Sequence, residues 1–76
     1  MCAMELRAIF AVNLKAARKS CGLSQEALAD LADLDRSYVS LLENQRYSVS
    51  LDTIERLAKV LETEPAALLQ RSGEDE

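Results

Sequence analysis

A chain of 76 residues makes one small domain, and such a domain buries only about 60% of its unfolded surface. It has no histidine, which excludes Cys-His and Ser-His nucleophile pairs, and Cys2 and Cys21 suffice neither for a disulfide framework nor for a zinc site, so no enzyme activity, cofactor or metal is expected. With no secretory core and no apolar run of about eighteen residues, a cytoplasmic protein without membrane contact is expected.

The net charge is −4 and uneven: residues 1–46 carry six basic and six acidic groups, residues 47–76 three basic and seven acidic. A first helix is predicted from Ala3 to Ser20, where Leu6, Phe10, Leu14, Ala17 and Cys21 recur at helical steps as one apolar stripe. Lys15, Arg18 and Lys19 gather in its last turn, where positive charge complements the helix dipole, and Gly22 follows as a left-handed terminator. Ser24 is placed to cap a second helix from Gln25, with Glu26 beside its positive end. Leu28, Ala29 and Ala32 share one face of that helix, and the small Ala29 admits a neighbouring helix closely.

Asp33, Leu34 and Asp35 form the turn, and Asp35 is expected to cap a third helix whose inner face is Val39 and Leu42. So short a turn forbids antiparallel stacking, and the two helices should cross steeply as a helix-turn-helix over about Gln25 to Asn44. Arg36, Ser37, Tyr38, Ser40 and Leu41 are left pointing away from Val39 and Leu42. A loop from Gln45 to Val49 leads to a fourth helix capped by Ser50, with Leu51, Ile54, Leu57, Ala58 and Leu61 facing inward. Pro65 suits the first turn of a last short helix. Leu68 and Leu69 are neighbours, so one completes the core and the other is left for a dimer interface. The domain is expected over residues 1–70, with residues 71–76 as an acidic, flexible tail.

By R-x-x-x-G-L-S-Q (Arg18 to Gln25), the Leu28-Ala29 pair, DRSYVSLLE (Asp35 to Glu43) and SLDTIERLAKVL (Ser50 to Leu61), the chain resembles the phage Cro and repressor proteins and the Xre-type bacterial regulators. The resemblance covers about Leu14 to Leu69 and implies an all-α, compact five-helix bundle of the phage-repressor DNA-binding type with a central helix-turn-helix. It further implies sequence-specific binding of double-stranded DNA to control transcription. A single domain making few base contacts needs a second copy, so a homodimer on a pseudo-palindrome is expected, with recognition helices ~34 Å apart. Regulation would follow protein concentration, with no small-molecule effector. Among relatives of this size with a similar third-helix run are the controller proteins of restriction-modification systems; a phage-type repressor is the rival. An antitoxin or a protein-interaction module on the same fold is the alternative, favoured by the acidic pI near 4.7.

Site residues follow partly from chemistry and partly from the resemblance. Arg36 offers a planar fork that matches the O6/N7 pair of guanine; the competing reading is an ion pair with Asp33 or Asp35. Ser37 can bond a base edge or a phosphate, Tyr38 a phosphate, a sugar or a thymine methyl, and Ser40 belongs to the same exposed set. The resemblance gives Gln25 a phosphate contact, the bland reading being an exposed polar residue, and makes Arg46 a phosphate anchor in the loop. Lys15 and Lys19 either reach phosphates or only complement the first helix dipole. By resemblance Arg18 pairs with Glu43, bidentately, tying the first helix to the third. Glu26 and Asp30 match the positions through which activating phage repressors touch RNA polymerase; the plain reading is two solvated charges. The family often has glycine where this chain has Asp33, Gln45 and Glu62, which makes a left-handed backbone costly there, and the second of these bends could shift onto Asn44.

Overall fold

The computed structural model describes residues 4–71: α1 (Met4–Ser20), α2 (Gln25–Ala32), α3 (Arg36–Glu43), α4 (Leu51–Leu61) and a closing 3-10 helix (Pro65–Leu69). Cys2, Ala3 and all of the expected tail but Arg71 lie outside the described residues. Among the described residues there is no strand, and no helix is long and apolar enough to cross a membrane.

The fifth helix differs from the sequence expectation, being a short 3-10 helix of five residues rather than an α-helix. The segment is too short to set up an α-type ladder. Its carbonyls are also held from outside. Asn13 on α1 donates through Nδ2 to the carbonyls of Leu68 at 3.0 Å and Gln70 at 2.7 Å, with Ala67 at 3.4 Å.

The core is one cluster: Phe10 and Leu14 from α1, Leu28, Ala29 and Ala32 from α2, Val39 and Leu42 from α3, Ile54, Leu57, Ala58 and Leu61 from α4, and Leu68. Ala29 is buried where α2 meets α3, so its small side chain sets how closely the two helices approach. Three apolar positions depart from the expected inner faces. Leu6 is 52% exposed and Leu51 77%, because each lies in the first turn of its helix, beyond the body of the core. Cys21, past the end of α1, is exposed, its thiol 3.7 Å from the Leu61 carbonyl.

All four α-helices end alike. A left-handed residue follows each, at Gly22 (φ 72°), Asp33 (φ 59°), Gln45 (φ 62°) and Glu62 (φ 57°). The next amide then bonds back five residues, from Leu23 to Arg18, Leu34 to Ala29, Arg46 to Leu41 and Thr63 to Ala58, at 2.8–3.1 Å. This closure satisfies carbonyls that a helix end leaves open. Gln45 itself takes the left-handed conformation while Asn44 stays at φ −98°, so the bend does not move onto Asn44. At the helix starts, Ser24 Oγ accepts from the Ala27 amide at 3.0 Å and Ser50 Oγ from the Thr53 amide at 3.1 Å. Asp35 occupies the cap position of α3 with extended backbone, but its carboxylate makes no capping bond, contrary to expectation.

Candidate nucleic-acid interface

The α2–α3 crossing rests on the turn Asp33-Leu34-Asp35, where Leu34 packs against the core cluster and Asp33 is left-handed. Val39 and Leu42 anchor α3 from behind, both fully buried. Arg36 and Ser37 are thereby turned outward at the amino end of α3. Arg36 has no ion-pair partner among the described residues, so the competing pairing with Asp33 or Asp35 is not formed. Ser40 is half-buried, and Asn44 Nδ2 donates to its carbonyl at 2.9 Å and reaches its hydroxyl at 3.5 Å. Tyr38 is half-buried as well, its ring packed against the core and against Tyr47 in the following loop.

The rear of α3 is fixed by a polar knot. Arg18 donates through Nε to Glu43 Oε2 at 2.7 Å and through its second terminal nitrogen to Oε1 at 3.1 Å. Its remaining nitrogen donates to the Leu23 carbonyl at 2.8 Å, so all three guanidinium nitrogens bond within the protein. The Glu43 side chain is only 2% exposed. Gln25 Nε2 completes the knot by donating to Glu43 Oε1 at 3.0 Å, joining the start of α2 to the end of α3. One Gln25 amide hydrogen is engaged there, and Nε2 carries a second.

Lys15 and Lys19 are exposed, four apart on α1, and Arg46 is exposed in the loop after α3. Glu26 and Asp30 are exposed on α2. Leu68 is not available to a partner: it is 2% exposed and completes the core. Leu69 is half-buried and lines an open groove with Leu6, Phe10, Val49, Leu51 and Ile54. The Gln25–Glu43, Asn13, and Tyr38–Tyr47 contacts were not expected from sequence. For Tyr47 one signal existed, an aromatic residue inside an otherwise polar loop.

Two helices crossing through a short left-handed turn, the second presenting free polar side chains at its amino end, define a helix-turn-helix domain. The chain belongs to the helix-turn-helix family HTH_3, which it matches over residues 14–68. It is 38% identical to the control protein C.SmaI of Serratia marcescens over 73 residues, 96% of this chain and 87% of that one. The crystal structure of the hypothetical transcription factor NHTF from Neisseria superposes with a TM-score of 0.87 at 40% identity, covering 91% of this chain and 79% of that one. The restriction-modification controller protein C.AhdI from Aeromonas hydrophila gives 0.79 at 45% identity, covering 82% of this chain and 94% of that one.

Proposed function

We propose that the chain binds operator DNA sequence-specifically as a homodimer and regulates transcription, its own gene included, as the controller of a restriction-modification operon. The observation that carries this reading is the state of Arg36: exposed, and with no ion-pair partner among the described residues, at the start of a helix pinned from behind by Val39, Leu42 and the Arg18–Glu43 pair. The first residues of a groove-bound helix are those that meet base edges. Likeness to C.SmaI and C.AhdI supports the operon assignment.

In this reading Arg36, Ser37, Tyr38 and Ser40 address bases, with Arg36 bidentate on guanine. Gln25, through its second amide hydrogen, and Arg46, Lys15 and Lys19 hold phosphates. Glu26 and Asp30 share an exposed face of α2 and are the groups offered to RNA polymerase; activation should fall, with DNA binding retained, when both become Ala. The second copy covers the groove at Leu6, Leu51 and Leu69, where two large apolar side chains stand in water for want of a partner.

Fluorescence anisotropy on labelled DNA from upstream of the protein's own gene, against a scrambled duplex, tests the reading. A preference of ~10³-fold, with affinity falling steeply between about 50 and 200 mM salt, is expected. Equal weak binding to both duplexes would remove autoregulation, and if Arg36→Ala then changed nothing, the fold would be serving a protein partner instead.

A further inference from the structure

We infer that Tyr47 is a positioning residue for sequence readout: its ring holds Tyr38 in the side-chain rotamer from which Tyr38 meets the DNA. The inference rests on the DNA-binding reading above and extends it to a loop residue.

The two rings stand edge to face, with centroids 6.2 Å apart and planes at 61°. Edge-to-face pairs at this spacing are favourable beyond the area they bury. Tyr38 is the third residue of α3 and packs against the core, and Tyr47 gives the same ring a second contact from outside the helix. Burial alone does not account for Tyr47, which is 54% exposed.

The loop that carries Tyr47 is built to hold it there. The left-handed Gln45 turns the chain back along α3, and the Arg46 amide bonds the Leu41 carbonyl at 2.9 Å. On the far side, Arg7 of α1 donates to Ser48 Oγ at 2.9 Å, and Val49 packs against the core. Tyr47 therefore sits between two fastened neighbours. On a helix a tyrosine side chain chooses chiefly between two staggered wells at its first torsion, and one edge contact shifts that choice by about 2- to 10-fold. Tyr38 would read its base pair with that much more selectivity than a free tyrosine.

The test uses the full chain and a duplex library with a randomised centre. Sites selected by the unaltered protein, and their single-base variants, are titrated with Tyr47→Ala, Tyr47→Phe, Tyr38→Ala and the double variant, after circular dichroism shows each to be helical. Tyr47→Ala should relax discrimination by about 2- to 10-fold at the same base pairs as Tyr38→Ala, leave the salt dependence unchanged, and add nothing in the double variant. Tyr47→Phe, which keeps the ring, should retain discrimination. Uniform weakening on every duplex, with no base pair singled out, would make Tyr47 a backbone contact and overturn the inference, as would an unchanged discrimination profile. If the unaltered protein selects no sequence, the DNA-binding reading itself fails, and that outcome is visible before any variant is tested.

Discussion

Arg18 directs every nitrogen of its guanidinium inward, two to the Glu43 carboxylate and one to the Leu23 carbonyl. Removing one member of a buried pair leaves the other charged and uncompensated, at a cost of about 3–5 kcal/mol. Arg18→Ala should therefore lose that much in urea unfolding, a large part of the roughly 5–15 kcal/mol that holds a domain together. Replacing Arg18 and Glu43 together by apolar residues of similar volume should cost far less stability. Arg36 stands at the opposite extreme, with its fork open. Arg36→Ala should leave the melting temperature nearly unchanged and weaken the preferred duplex by about 1–3 kcal/mol, chiefly at one guanine. The Arg18–Glu43 pairing could be anticipated because both residues sit in motifs of the family. Gln25 to Glu43, and Asn13 to the last turn, were not legible: side-chain bonds between distant residues leave no periodic trace in a sequence.

Among the elements, the helix interiors followed from apolar spacing and the ends from local chemistry. Ser24 and Ser50 cap as their positions suggest, and the left-handed sites fall on Asp33, Gln45 and Glu62, the family's glycine positions. Asp35 shows the limit of such reasoning, since a residue type suited to capping occupies the cap without making the bond. Leu6 and Leu51 show another, because periodicity assigns a face but not how far the core extends along it. The three strained ends invite replacement. A non-glycine residue in the left-handed region costs roughly 1–2 kcal/mol, while glycine loosens the unfolded chain by about 0.5–1 kcal/mol. Gln45→Gly and Glu62→Gly should each stabilise by about 0.5–1 kcal/mol, read as a higher urea midpoint at unchanged slope. Gln45→Ala, still left-handed, should gain nothing.

For the molecule as a whole, the acidic surplus belongs to residues 47–76, while residues 1–46, which hold the helix-turn-helix, are balanced. Phosphate affinity per domain is modest on that count, and the proposed homodimer would add the contacts of a second copy. Leu51→Glu alters a side chain that is 77% exposed, so folding should be spared. The affinity of the proposed homodimer should drop by about 10- to 100-fold, the equivalent of about 1.5–3 kcal/mol for one buried leucine, measured by sedimentation equilibrium.

The Asn13 clamp extends this to the protein's persistence. The final turn has few backbone bonds of its own and is fastened to the body by the Asn13 amide and by Leu68 and Leu69 packed on the core, which makes it a short peripheral unit of the kind that opens ahead of global unfolding. Opening would withdraw Leu69 from the groove and expose the backbone of the last turn to proteases. The proposed second copy, seated on the groove, would hold that turn shut. Digestion rates measured across a dilution series report this coupling, and a rate indifferent to concentration would dissolve it. With that coupling, scarce copies would be cleared sooner than plentiful ones, so decay as well as the proposed operator occupancy would register how much of the protein the cell has made.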